Sequence, residues 1–499
     1  MKKLLVFSWI IIIAGGIIIT LHYTKPNPAE IPSAEQELIT EIVTEQEVLT
    51  PSSSKTFSQY ISDGQTLLEN GEISQAIQNF QSASILNETS TLPLLHLGNA
   101  YLINSDPGSA EAIFKKALLL DRNSTEIKIG IARSYLNNRN IEAAKQLIWQ
   151  LDEEAPLVKY YKGILYILYK DFDNSKKQFL SLIPPEDEKL KEFFETPEYL
   201  TENAQKFLDA YEEFSYFKGG EESHLETLLA KAMTEVYEYD AAIRLLFDVL
   251  DQKNNYRDAW IVLGYAYLNT DKAKDAIDAF SQAKSLDEEN PNTLFFLGLS
   301  HFANNEIDKA VLYIEKADKF GFEPKDQINL KLAELYTLQE EFDQAEKKYE
   351  EVLSINTSSI EIFTRIIWLN IDKLGNPEKA LSLAYQTLDL YPQSAVSYNL
   401  VGWALTAMDN LQEAKKYLGK ALLINPNYNA ALLNLGWLFE KQGSTTIAKE
   451  YYKRAYALSG GNSIANLAAK RFNAITEKEM KNAYIQVNIS APNTPGITR

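Results

Sequence analysis

The feature that most limits what this chain can fold into is a period. Residues 399–405 read NLVGWAL and residues 434–439 read NLGWLF, so that Trp403 and Trp437 stand 34 positions apart in a chain of 499 residues with six tryptophans. The alignment continues downstream: Gly402 pairs with Gly436, Leu405 with Phe439, Ala414 with Ala448, Leu418 with Tyr452 and Ala421 with Ala455. The same frame runs back through Leu263, Gly264, Tyr267, Ala276, Phe280 and Ala283, and near the start through Leu97, Gly98, Tyr101, Ala110, Phe114 and Ala117. Self-similarity of this length marks stacked units, none of which buries its apolar face alone. Within a unit the apolar residues fall at helical spacing. Asn425-Pro426 ends one, because proline disfavours a helical residue before it and donates no backbone hydrogen bond.

This pattern of Trp or Leu, Leu-Gly, Tyr, Ala, Phe or Tyr, Ala and Pro at fixed offsets resembles the tetratricopeptide repeat family. The resemblance implies an all-α, right-handed solenoid of units built from two antiparallel helices, A and B. It also implies Gly or Ala at the eighth and twentieth positions, where the helices approach closely, and Ala at the twenty-seventh, which admits the next unit. About eleven units fit the frame, four over residues 57–182 and seven over 223–462. Three departures stand out. Ile131-Ala132 replaces Leu-Gly, and Ser175 replaces an internal alanine. In the ninth unit the eighth position falls on Ile367 or Trp368, and one extra residue in the turn near Gly375 restores the frame, with Trp368 at the ninth position.

Residues 183–222 do not fit the repeat. Leu200, Ala204, Phe207, Leu208, Tyr211 and Phe214 have helical spacing there, so one or two extra helices are expected between the two runs of repeats. A helix over 463–484 has the character of the solvating cap that an open solenoid needs, and residues 485–499 are expected to be a disordered tail.

The N-terminus carries a different signal. Met1-Lys2-Lys3 precedes LLVFSWIIIIAGGIIITL, residues 4–21, which has no charge. As a helix this run covers roughly 27 Å, close to the hydrocarbon thickness of a bilayer. Residues 1–22 therefore read as an uncleaved signal anchor, since no small-x-small cleavage site follows cleanly. The lysines before the span place the N-terminus in the cytoplasm and the repeats outside the cell membrane. Residues 23–56, with four prolines, a serine run and six glutamates, read as an acidic linker.

Composition narrows the function. A formal net charge of −19 argues against nucleic acid as a partner, because phosphate binding needs clustered Lys and Arg. The chain has no cysteine, so disulfides, thiolate metal sites and a cysteine nucleophile are excluded. No phosphate-binding loop, dinucleotide turn or paired-histidine metal motif occurs. The expected protein is therefore not an enzyme and holds no cofactor. By resemblance it is a scaffold or adaptor in an envelope-associated complex. A released chaperone-like holdase and a self-assembling structural protein are the alternatives.

In this family the second, fifth, ninth and twelfth positions of helix A line the groove. That implication selects Tyr265, Leu299, Trp368, Trp403 and Trp437 at the ninth position, Phe295, Asn399 and Leu433 at the fifth, and Phe302 at the twelfth. Asn99 and Arg133, also ninth-position residues, resemble part of a clamp for a terminal carboxylate. The tryptophans have two readings. They anchor a bound protein segment, or they pack against neighbouring A helices or the cap.

Overall fold

The computed structural model describes residues 55–185, 195–217, 220–459 and 463–490, with side chains to 481. Residues 1–54, which contain the expected anchor and nearly all of the linker, lie outside this set. Among the described residues no helix is long and apolar enough to cross a membrane. The described chain is all helical, with 24 α-helices and one π-helical turn, and it divides into two compact units that meet in sequence between Phe322 and Glu323.

The first unit opens with four helix pairs, from Phe57–Glu69 with Ile73–Leu86 to Pro156–Leu168 with Phe172–Leu180. One long helix, Glu198–Ser215, follows in the region that departs from the repeat, and three more pairs run from Glu222–Glu235 to Ile307–Lys319. Leu200, Ala204, Phe207 and Tyr211 are buried on the long helix, and Phe207 stacks on Phe179 of the fourth pair with ring centroids 4.3 Å apart. Residues 186–194 lie outside the described set. The second unit holds four pairs, from Lys325–Leu338 with Phe342–Ile355 to Asn429–Lys441 with Thr445–Leu458. It ends with the helix Ser463–Ser490, which runs past the expected boundary at 484.

Local chemistry explains where helices start. Thr56 and Gln59 form a reciprocal capping box, and Asp106, Ser124, Asn140, Asp171, Asn290 and Asn376 accept backbone N–H bonds from the first turns of their helices. Proline occupies the first helical position at Pro107, Pro156, Pro291 and Pro377, where its missing N–H costs nothing. Every A helix ends the same way. Gly71, Ser105, Arg139, Lys170, Tyr237, Asp271, Asn305, Glu340, Gly375, Asp409 and Gly443 all have positive φ, each two positions before its B helix. The next N–H reaches back to the last turn, as from Asn410 to the Leu405 carbonyl at 2.9 Å, so the turn satisfies groups that the helix end leaves free.

Within each pair the contact is set by size. An ideal Cβ on Gly64, Gly98, Gly163, Gly264, Gly298, Gly402 or Gly436 would lie only 2.5–2.7 Å from the side chain sixteen residues later: Phe80, Phe114, Phe179, Phe280, Ile314, Leu418 or Tyr452. The ninth pair reverses the sizes. Ile367 stands at the eighth position, and the facing residue is Ala384, both without exposed surface. The extra residue of this pair sits in the π-helical turn Leu369–Lys373 at the end of helix A, not in the turn near Gly375 as the sequence led us to expect. The Leu374 N–H bonds the Leu369 carbonyl at 2.8 Å, the wider ring absorbs one residue, and Gly375 keeps the shared turn at φ +62°.

Two substitutions separate this contact from helix propensity. Gly264→Ala drives a methyl to 2.7 Å from Phe280 and is expected to destabilise by about 1–3 kcal/mol. Gly108→Ala, whose nearest neighbour is at 3.7 Å, is expected to be neutral or stabilising by up to ~1 kcal/mol. Urea unfolding of both variants checks the pair.

Candidate functional site

Asn99 and Arg133 lie on the A helices Leu92–Ile103 and Thr125–Asn137 of the second and third pairs. Their shared repeat position brings them together, and Arg133 Nη1 donates to Asn99 Oδ1 at 2.8 Å. The pair is not open. Arg133 Nε faces Glu238 Oε1 at 3.9 Å, and the Tyr161 hydroxyl donates to that same oxygen at 2.8 Å. Glu238 and Tyr161 are 8% and 5% exposed, and the Arg133 side chain 27%. Burial opposes the charge on Arg133, but the nearby Tyr161 and Glu238 outweigh it and hold the guanidinium above its ordinary value. Burial pushes the Tyr161 phenol well up, with Arg133 pulling the other way. The expected clamp thus already faces a carboxylate, and it belongs to the same chain.

Glu238 and Tyr161 were invisible to repeat reasoning. Glu238 immediately precedes the B helix Tyr239–Gln252 of the fifth pair, 105 positions beyond Arg133, and periodicity does not relate the two.

The second unit presents another arrangement. Trp368, Trp403 and Trp437 occupy the ninth position of successive A helices, all half-buried, and Glu334 precedes them at the same position. Arg471, 34 positions after Trp437, continues the series on the helix Ser463–Ser490. Two cations approach Trp437, with the Arg471 guanidinium 5.4 Å and Lys441 Nζ 5.3 Å from the ring centroid. Arg471 Nη1 also pairs with Glu440 at 3.3 Å. Trp403 packs partly on the core formed by Leu400, Leu405, Leu435 and Phe439, which fill the positions beneath the series. Trp368 lies 5.8 Å from Lys373 Nζ. Burial raises the neighbouring Asp372 carboxyl, while Arg471 and Lys373 act to lower it. At Trp437 the ring thus meets a residue of the helix Ser463–Ser490. The period identifies Arg471 once the frame is carried past the last full unit.

The remaining groove candidates divide by burial. Phe295 has no exposed surface and stacks on Phe322 at 4.1 Å, because the chain after helix Ile307–Lys319 folds back onto it. Leu433 is packed in the core, and Asn399 is buried and accepts a bond from Asn434 Nδ2 at 2.9 Å. Tyr265, Leu299 and Phe302 are half-buried, and Tyr265 meets Phe296 edge-on at 5.7 Å.

Models of the tetratricopeptide repeat match residues 101–165, 258–290, 330–358, 395–428 and 430–462. Both units therefore carry tetratricopeptide repeats, and within each unit these are the helix pairs described above. Among curated proteins, the anaphase-promoting complex subunit CDC16 of Saccharomyces cerevisiae is 24% identical over 215 residues, 42% of this chain and 25% of that protein. The type IV pilus assembly protein PilF of Pseudomonas aeruginosa is 24% identical over 207 residues, 40% of this chain and 74% of that protein. The chain thus spans a quarter of the first relative's length. A solved structure, the C-terminal part of a TPR repeat-containing protein from Cytophaga hutchinsonii, is 16% identical, with a TM-score of 0.40 over 48% of this chain and 98% of that one.

Tyr161 offers a test of the first site. Tyr161→Phe removes the hydroxyl bonded to buried Glu238 and is expected to cost about 1–3 kcal/mol at neutral pH. The folded state also raises the affinity of Tyr161 for its proton, whereas unfolded tyrosines ionise near pH 10. Its contribution is therefore complete below about pH 10 and is lost as pH rises beyond that. Melting curves from pH 8 to 12 should show a steeper alkaline loss in the parent chain than in Tyr161→Phe.

Proposed function

We propose that this protein is a non-catalytic interaction scaffold that binds a segment of a partner protein along the tryptophan series of its second unit. The observation that carries this reading is the placement of Trp368, Trp403 and Trp437 at one position of successive A helices, half-buried above a core that is already filled. Large amphipathic aromatic residues of this kind act as anchors at protein interfaces, because they bury much area at a small entropic cost. Tetratricopeptide repeats in both units and relatives named as subunits or assembly factors of larger complexes support the reading. The acidic composition favours protein over nucleic acid as the partner.

The proposal extends to location. Residues 4–21 serve as a single-span anchor with the N-terminus in the cytoplasm, the linker to residue 56 spaces the repeats from the bilayer, and the scaffold works in an envelope complex. Protease added to intact spheroplasts is expected to degrade the repeats, and full protection would refute this topology.

The partner is sought by replacing Trp403 with a photocrosslinking residue in living cells, followed by mass spectrometry. The expected result is a discrete adduct with one other protein. Crosslinks confined to the chain itself would show that the tryptophans serve only packing, and the binding proposal would fall.

A further inference from the structure

The cluster around Arg133 has a consequence independent of what the second unit binds. We infer that Glu238 is a carboxylate ligand built into the chain: it fills the site formed by Asn99, Arg133 and Tyr161 and locks the third, fourth and fifth helix pairs into one block. Three observations point this way. First, Glu238 stands at the N-terminal boundary of helix Tyr239–Gln252, yet its side chain does not cap that helix. Glu72, Glu306 and Glu341 likewise leave their B helices uncapped from the equivalent position, where Asp106, Asn140 and Asp171 cap theirs, so a glutamate here has its carboxylate free for another partner. Second, the carboxylate is turned instead onto other pairs, with Oε1 taking the Tyr161 hydroxyl bond at 2.8 Å and facing Arg133 Nε at 3.9 Å. Third, the backbone supports the reach. Tyr237 turns the chain at φ +65°, and helix Tyr239–Gln252 packs directly against Thr125–Asn137 and Pro156–Leu168.

Stacked repeats ordinarily touch their sequence neighbours. Here the fifth pair returns to the third and fourth past the intervening helix Glu198–Ser215, and one apolar core runs through the same region from Ile129 to Ala279. The Glu238 carboxylate is buried and the Arg133 guanidinium partly so, and a buried charge is costly without its partner, so loss of either one works against this packing. The site therefore selects a carboxylate, and the chain supplies its own. A partner's acidic side chain or C-terminus would have to displace Glu238 to bind there.

The test is chemical rescue of the full chain, read by hydrogen exchange and independent of any partner. Glu238→Ala is expected to raise exchange in helices Thr125–Asn137 and Pro156–Leu168 by at least about tenfold. Sodium formate, the smallest carboxylate, should enter the vacated space, and at twice its dissociation constant it should restore protection about threefold. Sodium chloride at equal concentration should not, and adding Arg133→Met should abolish the rescue. Unchanged exchange in Glu238→Ala, equal rescue by chloride, or rescue that survives loss of Arg133 would each overturn the inference. If Glu238→Ala does not fold, Glu238→Gln decides. It keeps the shape and an acceptor for Tyr161 but loses the charge, so raised exchange in the same helices supports the built-in ligand and parental exchange refutes it.

Discussion

The rest of the structure depends on one contact: a small residue at the eighth position of helix A against a bulky one sixteen positions later on helix B. Seven of the eleven pairs meet through glycine, and its missing Cβ is the space that the facing ring or branched side chain occupies. The twentieth position is just as constrained. Ala76, Ala110, Ala144, Ala242, Ala276, Ala310, Ala345, Ala380, Ala414 and Ala448 have no exposed surface, and neither does Ser175, which stands at this position in the fourth pair. Interiors packed to crystal-like density respond to a single methyl group. The ninth pair shows that volume matters here more than residue type. Ile367 takes the glycine position, and Ala384 takes the place of the ring.

This contact also determines where the surface residues go. Once the eighth residue is fixed against helix B, the ninth lies about 100° further round helix A and leaves the intrapair contact. The series Glu334, Trp368, Trp403, Trp437 and Arg471 is thus a by-product of the packing register, repeated on each A helix of the second unit. The π-helical turn matters for the same reason. Without it, the additional residue of the ninth pair would slip the frame by one, moving Ile367 off the eighth position and Trp368 off the ninth together. A wider hydrogen-bonded ring after Trp368 takes up the residue with both in place.

Periodicity explains what the sequence revealed and what it hid. The eleven helix pairs and the identity of the close-packed positions were legible, because each unit repeats the same local contacts. The meeting of Asn99 with Arg133 was legible for the same reason, as neighbours in one frame. Glu238 was not, because its contact with Arg133 spans 105 positions and occurs once. Phe295 shows the opposite error. Its position in the frame named a groove residue, but Phe322, from beyond the repeat's last helix, folds back to cover it. Position in a repeat tells which way a side chain leaves its own helix, and does not tell what a non-repeating segment places in front of it. Arg471 lay within reach of the period and required only that the frame continue into the helix after the last full pair.

The two units also differ in what physics allows them to leave open. A cluster of charged and hydroxyl groups taken out of water is costly unless its members face one another, and inside the first unit Arg133 bonds Asn99, Tyr161 bonds Glu238, and the two charges lie 3.9 Å apart. A row of half-exposed aromatic rings carries no such penalty, since apolar atoms make up more than half of an ordinary protein surface. The tryptophan series is therefore stable in the folded chain without further cover, which is what the proposed binding surface requires. Arg471 shows the beginning of that cover at Trp437, where a guanidinium from the last helix lies over the ring and is held there by Glu440. Trp403 has no charged group stacked on it among the described contacts, which is why the proposed binding is tested there rather than at Trp368 or Trp437.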